Sequence, residues 1–226
     1  NLLQEVLKDE VFFRASGGGV TLSGGEVLMQ AGFAARFLQR LRQWGIRTAI
    51  ETAGDGAFDR LLPVAESSDE VLFDFKIMDP ELARSLLRMN QPRVLDNFRQ
   101  LAARKINLIP RVPLIPGYTM SVDNFRQILA FLAPFALKEM HLLPFHQYGE
   151  PKYRLLGKPW TLASVKAPGE AEIQPYRVMA EAAGWDVETI ATYTTVPADS
   201  ADGVAPWADY DAVVLTAGSI ADATAA

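Results

Sequence analysis

Residues 15–26 read ASGGGVTLSGGE, five glycines in twelve positions around Val20-Thr21-Leu22-Ser23. Glycine costs backbone entropy on folding. It is placed where the chain turns sharply or where a ligand meets the main chain. Gly17-Gly18-Gly19 and Gly24-Gly25 therefore predict a short buried strand, entered by one tight turn and left by another.

Outward from this strand, apolar β-branched segments alternate with segments of helical period. Strands are predicted over residues 20–23, 46–52, 70–76, 106–112, 138–144 and 186–190. Helical patterns cover 1–14, 30–44, 79–89, 93–104, 122–135 and 170–183. The clearest is 30–44, where Phe33, Phe37, Leu38, Leu41 and Trp44 share a face and Gly45 follows as a stop signal. Ser121 is placed to cap the helix after it. Such alternation implies βα units and a parallel sheet. With no GxGxxG after a strand, it predicts an α/β fold built as a parallel barrel or part of one.

The 226 residues are 49% hydrophobic with net charge −5 and pI near 5.1. That balance argues against nucleic acid as the main ligand. No apolar run is long enough to cross a membrane, and the charged amphipathic start is unlike a signal peptide. Residues 191–226 hold eleven alanines, five aspartates and no Lys or Arg, so the net charge resides there. We expect a body over 1–190 and a weakly ordered tail over 191–226, with at most an isolated strand near 210–216. The chain has no cysteine, which excludes disulfides and thiolate metal sites from it, and its two histidines are His141 and His146.

In parallel barrels, functional groups gather at the C-terminal ends of strands. Those ends read SGGE (23–26), ET (51–52), DFK (74–76), PRVPLIPG (110–117) and LLPFH (142–146). Each carries a polar group that a merely structural strand end does not need.

The ordered set SGGGVTLSGGE, IETAGD, DFKIMD, PRVPLIPGYT and HLLPFHQYGEPKY resembles the activating enzymes of glycyl radical enzymes, over residues 1–190. These are radical S-adenosylmethionine (SAM) proteins of the pyruvate formate-lyase activase type. The resemblance implies a partial (β/α)6 barrel, SAM and a [4Fe–4S] cluster. It implies reductive cleavage of SAM to a 5′-deoxyadenosyl radical, which takes a hydrogen from a glycine of a partner enzyme. A glycyl radical enzyme as protein substrate, a flavodoxin or ferredoxin as electron donor and a cytoplasmic location follow from the same likeness. The family's cluster is held by CxxxCxxC. The chain resembles a member whose first βα unit and cluster loop are absent, so we expect it to lack the radical chemistry by itself.

On that resemblance, Gly24, Gly25 and Glu26 receive the SAM ammonium. Glu51 and Thr52, with Asp74, Phe75 and Lys76, face the same ligand, and Glu51 and Asp74 are candidates for a monovalent cation. Arg111 contacts ribose or carboxylate, Val112 lines the adenosine pocket, and His146 meets the nucleoside or carboxylate. No catalytic residue is assigned. Structural alternatives stand beside these roles: Glu26 as a helix cap, Lys76 or Arg111 paired with Asp74 or Glu51, Gly17–Gly19 as turn chemistry, and His141 as a buried structural group. Two other functions fit the residues alone. One is a Schiff-base aldolase using Lys76. The other is a non-catalytic SAM- or partner-binding fragment. With no strand before it, the strand over 20–23 is expected to lie at an unpaired sheet edge.

Overall fold

The computed structural model describes residues 2–23, 25–155, 157, 159–190 and 212–216. Seven strands are described: β1 (Gly19–Ser23), β2 (Arg47–Thr52), β3 (Glu70–Asp74), β4 (Leu108–Leu114), β5 (Glu139–Pro144), β6 (Asp186–Thr189) and β7 (Ala212–Thr216). Their order in the sheet is β6-β5-β4-β3-β2-β1-β7. The ladders β1–β2, β1–β7, β2–β3, β4–β5 and β5–β6 are all parallel. The α/β class and the parallel sheet are those predicted.

The chain forms two compact units. The first holds residues up to Phe73, Pro92–Leu108 and β7. Its helices are α1 (Leu2–Val6), α2 (Glu10–Ser16), α3 (Ala31–Gln43), α4 (Phe58–Ser67) and most of α6 (Gln91–Ala103). Helix α3 buries Phe37, Leu38 and Leu41 of the predicted face together with Ala34, whereas Phe33 is half-buried and Trp44 is exposed. Gly45 ends it in the left-handed region, at φ 71°. The core gathers Leu38, Leu41, Ile50, Leu61, Phe73 and Phe98, with Phe73 edge-on to Phe98 at 5.1 Å.

The second unit holds Asp74–Gln91 and the described residues from Ile109 to Ile190. Here α5 (Pro80–Leu87) starts on an Asp79 cap with Pro80 in its first turn. The Ser121 hydroxyl accepts the Asn124 N–H and caps α7 (Val122–Leu132). Helices α8 (Glu150–Leu155) and α9 (Glu170–Ala182) follow. Phe75, Phe125, Ile128, Met140, Leu142 and Tyr176 fill this core.

Several elements differ from expectation. The first helix is broken into α1 and α2 by a 3-10 turn at Leu7–Asp9. Strand β3 ends at Asp74 instead of residue 76, and β4 runs from Leu108 to Leu114. Helix α4 was not among the predicted helices, and Pro63, a residue that disfavours helix interiors, lies inside it. Burial of Leu61, Val64 and Ala65 outweighs that propensity.

The expected open edge at β1 is also overturned. Strand β7 pairs along it in register from Gly19↔Ala212 to Ser23↔Thr216. AVVLT is β-branched and apolar, and pairing there satisfies backbone groups that an edge strand leaves unpaired. The rest of 191–226 lies outside the described residues, as does Gly24.

Candidate functional site

In the first unit, the C-terminal ends of β1 and β2 carry a polar cluster. Residue 22 of β1 is in register with residue 50 of β2, which brings Ser23 beside Glu51. The Ser23 hydroxyl donates to the Glu51 carboxylate. Gly25 has φ 92°, a conformation that favours glycine, so the SGGE turn requires the residue the sequence supplies.

Glu26 is heavily used by the protein itself. One carboxylate oxygen accepts from the Thr52 hydroxyl at 2.6 Å and the Leu28 N–H at 3.3 Å, and the other from the Ala53 N–H at 3.0 Å. It caps the 3-10 turn Val27–Gln30 and clamps the loop after β2. The capping alternative therefore describes its side chain. Thr52 is buried, and its hydroxyl in turn accepts the Gly54 N–H. The loop is held from its other side by Asn97 of α6, whose amide donates to Gly54 O at 2.7 Å and Gly56 O at 2.8 Å. Sequence reasoning missed Asn97. Its signal was an amide set beside Val94, Phe98 and Leu101 on a helix face that is otherwise apolar.

In the second unit, Asp74 at the end of β3 stands 3.6 Å from Lys76 Nζ and 3.7 Å from Arg111 Nε. These are the ion pairs named as alternatives. Two side-chain cations already answer the Asp74 charge, so the carboxylate does not need the expected monovalent cation for balance. The Arg111 side chain is only 12% exposed, consistent with a guanidinium that has a partner.

Two side chains expected to meet the ligand are buried. Phe75 is buried, its ring tilted against Phe131 of α7 at 5.7 Å. Only its backbone is available, and its N–H donates to Arg111 O. Val112 is fully buried too, as is Leu114. Successive side chains of a strand point to opposite faces. Arg111 and Pro113 take the more open face of β4, and Val112 takes the buried one.

His146 follows β5 and is partly buried. Its Nδ1 accepts the Tyr148 N–H at 3.2 Å, which makes it the cap of the 3-10 turn Gln147–Gly149. Burial lowers its pKa below the usual histidine value, against a smaller upward pull from a hydrogen bond with its own backbone. The folded protein thus takes up this proton less readily than the unfolded chain. The contribution is present above pH 6.5 and declines as pH falls from there toward the folded pKa. Thermal midpoints measured between about pH 7.5 and 5 should fall, and His146→Gln should flatten that part of the fall. Parallel curves for parent and variant would rule the contribution out.

His141 is buried inside β5, with Nε2 2.9 Å from Glu139 and 3.3 Å from Glu188, its register partner on β6. That is the structural role expected of it.

Both clusters sit at the C-terminal ends of parallel strands. No protein-family model matches the chain. It is 61% identical over 186 residues to the pyruvate formate-lyase 2-activating enzyme of Escherichia coli K12, covering 82% of this chain and 64% of that relative. It is 30% identical over 193 residues to the pyruvate formate-lyase 1-activating enzyme of the same strain, covering 83% of this chain and 77% of the relative. The chain belongs to the glycyl radical enzyme activating enzymes. A crystal structure of a domain of an activating enzyme of this family, from Bacteroides vulgatus, agrees in fold. It superposes with a TM-score of 0.63 at 25% identity, covering 76% of this chain and 98% of that one.

Glycyl radical enzyme activating enzymes use SAM and a [4Fe–4S] cluster. The two cofactors fare differently against these residues. SAM presents an ammonium, a carboxylate and a nucleoside. Glu51, the Asp74–Lys76–Arg111 group and the His146 imidazole offer matching chemistry. The cluster does not fit, because thiolate ligands are required and the sequence contains none.

Proposed function

We propose that the chain is the SAM-binding part of an activating enzyme that installs a glycyl radical on a partner enzyme. The observation that carries this is the coincidence of family membership with the charged Asp74–Lys76–Arg111 group at the C-terminal end of β3. When bound next to a reduced cluster, SAM supplies the hydrogen-abstracting chemistry. The chain's own residues bind and orient it. Of the groups that suit SAM, those proposed to bind it lie in the second unit; Glu51, in the first, accepts from the Ser23 hydroxyl. Glu26 and Asn97 fix the loop over residues 53–56 that follows Glu51. Lys76 and Arg111 attract the carboxylate, and Asp74 holds both cations in place. His146 donates from Nε2 to an acceptor on the ligand, since its Nδ1 is already in use.

The chain spans 64% of the length of its 61%-identical relative, so the complete reaction is part of the proposal. A pyruvate formate-lyase of the second type is the first partner to test. A flavodoxin or ferredoxin is the proposed donor, and the cytoplasm the proposed location. No helix among the described residues is long and apolar enough to cross a membrane. Family membership favours this reading over an aldolase with Lys76 as nucleophile.

Titration calorimetry with SAM tests the site directly. Asp74→Asn and His146→Ala should each weaken binding by roughly 1–3 kcal/mol, the scale for losing a charged or buried polar contact. No detectable binding to the parent, or equal binding by all three proteins, would remove these residues from the site.

A further inference from the structure

We propose that Gln147 is a positioning residue: together with Trp160 it clasps the turn after β5 and so holds His146 as an Nε2–H donor. The proposal rests on the SAM-binding reading for its purpose, but not for its geometry.

The Gln147 amide is engaged at both ends by a single segment of chain. Its Nε2 donates to Leu162 O at 3.0 Å and to Val165 O at 2.7 Å. Its Oε1 accepts the Trp160 indole N–H at 2.5 Å. The Trp160 ring is fixed independently. It stacks on Phe145, 6.4 Å between centroids and 15° from parallel, and meets Tyr153 edge-on at 4.8 Å. Gly149, the last residue of the turn, lies so close that an added Cβ would stand 3.0 Å from the indole. The turn Gln147–Gly149 is therefore held by a side-chain amide at its start and by an aromatic ring at its end.

His146 lies between two residues tied to Trp160, Phe145 through ring stacking and Gln147 through its amide. Its own ring is set by two contacts. The Tyr148 N–H donates to Nδ1, and the Tyr148 ring packs against the imidazole at 4.6 Å. The first contact decides the tautomer. A nitrogen that accepts a hydrogen bond carries no proton, so in the neutral ring the proton is on Nε2. That contact exists only while the turn places the Tyr148 N–H over the ring. If the Gln147 clasp is released, the turn loses its anchor, Nδ1 loses its donor and the proton is free to sit on either nitrogen. The ring would then present an acceptor to the ligand for part of the time, where the proposed site requires a donor.

The test uses the chain as it exists and reads two signals. The first is the imidazole nitrogen spectrum at alkaline pH. Only two histidines are present, so His146 is assigned by comparison with His146→Gln. In the parent, His146 should show an unprotonated Nδ1 and a protonated Nε2. In Gln147→Ala both nitrogens should move toward averaged values, while the His141 signals stay in place. Trp160→Phe keeps a ring for Phe145 and removes the indole donor, and should give an intermediate shift. It also serves if Gln147→Ala fails to fold. The second signal is SAM affinity, expected to fall about tenfold in Gln147→Ala and less in Trp160→Phe. An unchanged His146 tautomer in both folded variants would overturn the clasp. A changed tautomer with unchanged SAM affinity would overturn its link to the ligand. Should the parent fail to bind SAM at all, the functional reading falls, and the nitrogen spectra alone decide the clasp.

Discussion

Anaerobic incubation of the 226-residue chain with ferrous iron and sulfide should leave it without [4Fe–4S] absorption, and SAM added under reduction should yield no 5′-deoxyadenosine. Iron on sulfide requires soft anionic ligands, and this sequence has no cysteine to supply them. The histidines are poor substitutes. His141 is buried between Glu139 and Glu188, and His146 spends Nδ1 on the Tyr148 N–H. Extending the chain at its N-terminus with a family segment that contains CxxxCxxC should restore both signals, an all-or-none difference. A stoichiometric cluster in the unextended chain would refute the ligand argument. A full cluster in the extended chain without SAM cleavage would refute the proposed function.

The largest stability effect is expected at Gly54, in the loop that follows Glu51. Its φ is +66°, and an added Cβ would lie 2.2 Å from the Phe73 ring. Phe73 is itself fully buried against Phe98, so it has no free volume to move into. Gly54→Ala adds a left-handed penalty of about 1–2 kcal/mol and an overpacking cost of about 1–3 kcal/mol. The sum, roughly 2–5 kcal/mol, lowers the melting temperature on the order of 10 °C for a chain of this size. Gly17→Ala is the control. Its φ is +74°, yet nothing lies within 4 Å of the added carbon. It should lose only the conformational part, so the difference between the two variants measures the steric cost. Equal melting temperatures would show that the Phe73 ring yields without cost.

Some of the local geometry at these strand ends was legible before the structure, because its signals are local. The turn at Gly25 needs a left-handed residue, and the sequence has glycine there. Asp74 and Lys76 are two residues apart, so their pairing is a local one. The failures have another origin. Phe75 and Val112 were assigned to the ligand on the family resemblance, which carries no information on which way each side chain points. Their side chains belong to the core.

What the sequence determined by itself is chemical inventory and order: no thiolate, two imidazoles, and charged residues at the ends of successive predicted strands. These do not depend on where the chain goes in space. The tertiary structure decided which of those groups are already spent. Glu26 is used up by Thr52 and Ala53, Asn97 by two loop carbonyls and Gln147 by Trp160, Leu162 and Val165. Each partner lies between 13 and 43 residues away along the chain. A carboxylate or an amide has few hydrogen-bonding positions, and whether a distant backbone group fills them is settled only when the chain has folded. The covering of β1 by β7 has the same origin, since a strand's partner comes from anywhere in the sequence that supplies matching backbone.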